Sequence, residues 1–276
     1  MAWSKTSSRG MKVEYPIRKT PASLDNHRLA AYMITRRRVL MRYRRLIGLV
    51  GFMVMLPLLA CGQGSGDPPA AAKEKTAVPA GAPKPYAPQD FSKLKGMPGF
   101  SDKLLDMHFT LYQGYVKNTN LLLDQLQQLA TQNQAGSPAY AELKRRLGWE
   151  FDGMRLHELY FANLGGKEPL AKGSKLMKRL EENFGSFDNW AADFKATGAM
   201  RGIGWVVLYD DPKSGRLMNV WINEHDVGHP AGGNPLLVMD VFEHAFLTDY
   251  GLKRGDYIQA FFQNINWPEV EARLGK

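Results

Sequence analysis

Five of the six histidines lie beyond residue 60, at His108, His157, His225, His229 and His244, and Asp240 stands four residues before the last of them. A lone histidine on an apolar helix face is more often a satisfied core residue than a ligand. Two such histidines on consecutive helices, joined by a carboxylate and an imidazole four apart, change that balance. Three imidazoles and one carboxylate suit a redox-active iron or manganese, and the position such a set leaves open admits water or a small substrate. Zinc accepts the same donors, and spacing alone does not choose among the metals. His229, in a Gly-His-Pro loop, is expected to take no catalytic part.

The elements that must position these residues can be read from periodicity. Ser101 is a good N-cap, and from Asp102 to about Gln132 no proline interrupts a helical repeat. Leu104, His108, Tyr112, Tyr115 and Leu122 fall in one narrow arc, so a single stripe carries a histidine and two tyrosines. A second helical pattern runs from Pro138 through Met154, His157 and Phe161 to Gly165-Gly166, and the short connection predicts antiparallel packing. Further helices are expected over Lys172–Asn183 and, capped by Ser186, to Thr197. The period then changes. Trp205–Tyr209 and Leu217–Ile222 read as a hairpin, followed by a loop over Asn223–Asn234, a strand over Pro235–Met239 and helices from about Glu243. Helices first and a small sheet afterwards imply an α+β fold: a long antiparallel helical hairpin over 91–183, then an α/β domain over 184–276 with an antiparallel sheet of about three strands.

The formal charge of +9 invites a nucleic-acid reading, but its distribution removes it. Residues 1–60 hold twelve Lys and Arg against two acids, and the rest of the chain has 24 against 25. A nearly neutral remainder offers no footprint for phosphate backbone, so no nucleic-acid partner is expected. One cysteine excludes a disulfide framework, a Cys-rich zinc site and an iron–sulfur cluster held by this chain alone.

The basic leader has its own logic. Thr35-Arg-Arg-Arg-Val-Leu-Met-Arg-Tyr-Arg-Arg45 precedes an apolar run over Leu46–Ala60 that is short for a bilayer span, which are the parts of an export signal over 1–60. An uncut membrane anchor is the alternative. Leu58-Leu59-Ala60-Cys61 resembles the lipobox of bacterial lipoproteins, in which the cysteine is acylated. Arg36-Arg37-Arg38 also resembles a twin-arginine export signal. Met33 or Met41 would give a more ordinary leader, which leaves the start open. Residues 61–90 are rich in Pro, Ala and Gly and read as a flexible spacer. The expectation is an exported lipoprotein on the periplasmic face of a membrane. Gly62 in place of the usual aspartate retention signal favours the outer one.

From about Phe91 to Lys276 the chain resembles the iron/manganese superoxide dismutases. The resemblance rests on Ser101–His108 for the first helix, Arg155-Leu-His157-Glu-Leu-Tyr-Phe161 for the second, Ser186-Phe-Asp188 through Gly202-Ile-Gly-Trp205, and Asp240-Val-Phe-Glu-His-Ala-Phe246 against an Asp-x-Trp-x-His-Ala-Tyr signature. It implies a mononuclear site with one iron or manganese ion held by His108, His157, Asp240 and His244, superoxide as substrate, and a homodimer. Glu243 would bond the ligand histidine of the neighbouring subunit, and Arg254 would steer the anion or form a surface salt bridge.

Around the ligands the sequence departs from that pattern. Members of the family place a glutamine beside the metal-bound solvent, from the second helix in typical iron enzymes or from the sheet region in typical manganese enzymes; here the helix position is Gly153, as in the manganese pattern, and the sheet-region position is His225, inferred to donate to that solvent. The family's gateway tyrosine lies eight residues after the first ligand. Here Tyr115 lies seven on and is the candidate gateway, with Tyr112, four on, as its rival. Tyr112 and Leu247 stand where the family has a histidine and a tyrosine paired across the dimer, so both partners of that bond have changed together. Three readings follow: a membrane-tethered dismutase, a weak or inactive metal-binding lipoprotein on the same fold, and a zinc hydrolase, ranked last because no general base accompanies the ligands.

Overall fold

The computed structural model describes residues 84–275. The expected leader, Cys61 and the spacer up to residue 83 lie outside the described residues. None of the described helices is long and apolar enough to cross a membrane.

Four serines start the first four α-helices. Ser101 accepts from the Leu104 amide at 3.1 Å ahead of α1 (Asp102–Thr131), and Ser137 caps α2 (Pro138–Ala162), whose first residue is a proline that has no amide hydrogen to leave unpaired. Ser174 caps α3 (Lys175–Phe184) and Ser186 caps α4 (Phe187–Gly198). The helix expected over Lys172–Asn183 therefore starts later, at the serine that can satisfy its free amides. Gly185, at φ 83°, ends α3 in the left-handed conformation and lets the chain turn directly into α4.

The predicted stripe is buried: Leu104, His108, Tyr112, Tyr115 and Leu122 all face inward along α1, against α2. Only this face is apolar enough to pack, so the position of His108 follows from the same periodicity that buries Leu104. The expected spacer ends before residue 90, because its last residues are fastened to the hairpin. The Tyr86 amide donates to Asn120 Oδ1 at 2.9 Å, Asn120 Nδ2 donates to the Tyr86 carbonyl at 2.8 Å, and the Gln89 amide donates to Tyr112 at 2.9 Å.

The second half is built on three antiparallel strands, β1 (Gly204–Asp211), β2 (Arg216–Asn223) and β3 (Asn234–Asp240), in the order β2-β1-β3. The α+β expectation holds. Helix α3 packs on α4 and β2, so it belongs with the sheet and the hairpin half ends at α2 rather than at residue 183. Register matters most at one end of the sheet, where Trp205 pairs with both Ile222 and Asp240. That pairing sets the indole of Trp205, the end of β3 and the loop after β2 side by side. Beyond β3 a 3-10 turn (Glu243–Ala245) replaces the expected helix start, followed by α5 (Leu247–Tyr250), α6 (Arg254–Gln263) and α7 (Trp267–Ala272).

The two halves are locked by Asn163, just past α2. Its side-chain amide donates to the carbonyls of Tyr160 and Val238, while its Oδ1 accepts from the Val238 amide at 2.9 Å. A buried side chain thus completes a strand-like pairing two residues before Asp240. The Asn266 amide donates to the Asn163 carbonyl and ties α7 to the same point.

Candidate metal centre

Among the described residues, one group of side chains could hold a metal ion: His108, His157, Asp240 and His244, with one donor atom from each within 4.8 Å of the others. Each half supplies two. Asp240 Oδ2 lies 3.1 Å from His108 Nε2, 3.0 Å from His244 Nε2 and 3.7 Å from His157 Nε2. His108, His157 and Asp240 are buried, and His244 is the one ligand candidate with solvent access, at 26%.

His157 shows most directly which kind of partner the site is built for. Its Nδ1–H donates to the Gly153 carbonyl one helical turn back at 2.5 Å, so its Nε2 carries only a lone pair. That Nε2 is buried and has no hydrogen-bond partner. A bare lone pair in the interior costs free energy unless an electrophile meets it, and here it faces a carboxylate and two more imidazoles. Burial holds His108 and His157 below the usual histidine range, so both stay neutral. Burial alone would raise the Asp240 carboxyl, but His244 and the hydrogen bonds from His108 and His244 outweigh it and hold the group well below the carboxylate range. Three imidazoles gathered around one ionised carboxylate form the donor set that iron or manganese takes.

Beside the ligands the geometry separates the two tyrosines. Tyr115 rests against the His157 ring, centroids 5.1 Å apart, and its hydroxyl lies 2.8 Å from His225 Nε2. His225 is fully buried, and the Trp205 indole donates to its Nδ1 at 3.0 Å. An indole N–H can only donate, and burial lowers the His225 pKa to about 4, so the neutral ring carries its proton on Nε2. That proton is directed at the Tyr115 oxygen. Tyr115 is itself pushed above its ordinary value, by burial first and then by the charges of Asp240 and Glu150, so it keeps its own O–H. With its oxygen accepting from His225, the Tyr115 hydroxyl keeps a proton of its own to donate. The neutral His225 ring has no second N–H to give to solvent, so this geometry does not match the expectation that His225 donates to metal-bound solvent.

Tyr112 points elsewhere. Its hydroxyl donates to Glu158 at 3.0 Å and accepts from the Gln89 amide, and burial raises its pKa to about 12. The ring lines the site against His157, but the hydroxyl is spent on the far side.

Comparison with known proteins gives the same picture. The chain is 36% identical over 190 residues to manganese superoxide dismutase 2 of Haloferax volcanii, which covers 67% of this chain and 92% of that one. It is 39% identical over 197 residues to an iron superoxide dismutase of Aquifex pyrophilus, covering 68% and 91%. The family profile described as iron/manganese superoxide dismutases, C-terminal domain, matches residues 172–273. The chain belongs to the iron/manganese superoxide dismutases. It is a superoxide dismutase, and its cofactor is one iron or manganese ion, for which the cluster above is the candidate site. The profile begins just ahead of α3, where the packing also starts the second half of this dismutase.

Other expected residues fall in different surroundings. Phe242, in place of the signature tryptophan, is stacked between His225 and His244 at 4.8 and 5.1 Å and forms a wall of the dismutase site. Among the described residues Arg254 makes no salt bridge, and its arms are committed to backbone: its guanidinium donates to the carbonyls of Met200 at 2.6 Å and Gly202 at 2.9 Å, which steadies the approach to β1. This corrects the expectation of a surface ion pair. Glu243 is exposed. Trp205 was expected only as a strand residue, yet it sets the His225 tautomer. A buried tryptophan must find an acceptor for its N–H, which is the signal that could have singled it out.

Proposed function

We propose that the chain is an exported, membrane-tethered superoxide dismutase in which His108, His157, Asp240 and His244 hold the metal and the Tyr115–His225 pair serves the proton side of the reaction. The metal supplies one-electron chemistry, taking an electron from one superoxide and giving one to another, so that two superoxides and two protons become oxygen and hydrogen peroxide. The chain's own part is to keep the site dry, to keep Asp240 ionised, and to present the Tyr115 O–H beside His157. The single observation that carries this is the buried, unpartnered Nε2 of His157 facing Asp240, with the Tyr115 ring stacked on His157 and its hydroxyl bonded to His225.

The tether rests on sequence. Leu58-Leu59-Ala60-Cys61 after a basic and apolar leader supports acylation of Cys61, with the domain on the periplasmic side and Gly62 favouring the outer membrane. A homodimer is supported by the mouth of the site. Met107 and Leu247 are about half exposed there, Thr248 reaches the Met107 sulfur, and the exposed Glu243 lies next to His244. A second copy would cover that surface.

Superoxide decay after a radiolytic pulse, measured on the detergent-extracted full chain loaded separately with iron and manganese, tests the chemistry. Decay no faster than in buffer, in protein shown to hold the metal, would overturn it. Intact mass of the membrane-extracted protein tests the tether, and an unmodified Cys61 still joined to Ala60 would remove it. Light scattering that finds only monomer would remove the dimer.

A further inference from the structure

The loop that carries His225 is fastened on both sides of that residue. Before it, the Trp149 indole donates to the Glu224 carboxylate at 3.1 Å, and the Glu224 backbone sits in the left-handed region at φ 51°. At His225 itself, the backbone carbonyl lies 2.8 Å from His229 Nε2, and His229 Nδ1 lies 2.6 Å from the Tyr209 hydroxyl. A carbonyl only accepts, so His229 Nε2 carries a proton, and in the neutral ring Nδ1 then accepts from Tyr209. The chain of donors runs from Tyr209 on β1 through His229 to the His225 carbonyl. Asp152 on α2 stands 3.8 Å from the same Nε2.

We infer that His229 is a positioning residue: it holds the His225 backbone so that the Nε2–H of His225 meets the Tyr115 hydroxyl. This rests on the proton-delivery reading above. Backbone anchoring is needed because the His225 ring is fixed at its nitrogens by two different elements, Trp205 on β1 and Tyr115 on α1. Both contacts can be kept only if the loop stays within a few tenths of an ångström of its place. The segment 223–228 has little else to hold it. Its backbone is closed by the Asn223–Val227 pair and by the Glu224 amide on the Ile203 carbonyl, and none of these restrains the His225 carbonyl.

The test uses the full chain in detergent. In protein loaded with zinc, so that the site is diamagnetic, the buried Nε2 proton of His225 gives a slowly exchanging resonance that can be followed by nitrogen-15 labelling of histidine. In iron- or manganese-loaded protein, turnover is measured. His229→Leu removes both hydrogen bonds at nearly constant volume, and loss of one such restraint is expected to speed exchange of that proton and lower turnover by about fivefold each. His229→Gln, which can donate to the carbonyl and accept from Tyr209, restores both. Tyr209→Phe, which spares the His229 ring, shifts both in the direction of His229→Leu and serves if the leucine variant does not fold. Wild-type exchange and turnover in either His229→Leu or Tyr209→Phe would overturn the inference. Faster exchange with wild-type turnover would sustain the positioning role and refute the proton role of the His225–Tyr115 pair instead.

Discussion

Replacing Gly153 by alanine should slow this dismutase without unfolding it. A Cβ built on Gly153 would lie 2.7 Å from Tyr115 Cδ1, 2.8 Å from Cε1 and 3.1 Å from Cγ, where ordinary contact begins at 3.4 Å. The ring must therefore withdraw by about 0.7 Å, and it has nowhere easy to go. It rests on His157 at 5.1 Å, on Trp149 at 5.5 Å and on His225 at 4.8 Å. A displacement of that size is comparable to the whole difference between the present 2.8 Å bond to His225 and none. For stability two effects nearly offset: alanine in a helix interior gains about 1 kcal/mol over glycine, and overpacking costs about 1–3 kcal/mol. For turnover nothing offsets the misplacement, and a reacting group moved by somewhat less than 1 Å should cost about 10- to 30-fold. Pulse-radiolytic decay at matched metal content measures the second effect and a thermal midpoint the first. Gly148→Ala, on the same helix with open space around it, is the control and should gain stability with turnover unchanged. A Gly153→Ala protein as fast as wild type and more stable would refute the packing argument. The same collision explains why a glutamine at position 153, expected from iron-type relatives, is incompatible with Tyr115 as placed here.

Acid should weaken the metal-free fold partly through His225. Its pKa falls from about 6.5 in the unfolded chain to about 4 when buried, so the unfolded state binds more protons between those values and stability is lost as pH drops from about 6.5, levelling off below about 4. The ceiling is about 3 kcal/mol. Urea unfolding of wild type and His225→Gln should diverge by up to that amount across the window, and parallel curves would contradict the burial of a neutral ring. Asn163→Ala breaks the pairing between the halves and strands the Val238 amide and carbonyl, so it should cost about 2–4 kcal/mol in the same measurement. A loss below about 1 kcal/mol would mean that the lock lies elsewhere. Asp240→Asn removes the charge that offsets the metal, and metal retention after dialysis should drop more than the 10- to 100-fold typical of losing a ligand's supporting partner. Retention equal to wild type would move the metal to another place.

The sequence by itself determined which faces are buried and which residue types gather there. A 3.6-residue repeat places His108, Tyr112 and Tyr115 on one stripe whatever the details of packing, and four serines mark the starts of four helices because each has free amides to satisfy. The four ligand candidates, the α+β order and the charged leader were legible for the same reason: each is a property of one segment. The choice between Tyr115 and Tyr112 was not, because it depends on which hydroxyl finds a partner in another element. Tyr112 meets Glu158 and Gln89, while Tyr115 meets a ring whose tautomer is set by Trp205. Gly153 read only as a match to the manganese pattern, and the packed structure shows it as the space that Tyr115 occupies. Arg254 likewise read as an anion-steering charge or one half of a surface salt bridge, and only the folded chain shows it bonded to the carbonyls of the turn before β1. Local periodicity fixes direction along one element, whereas hydrogen-bond partners are decided by register between elements, such as Trp205 opposite Asp240, and that belongs to the folded chain alone.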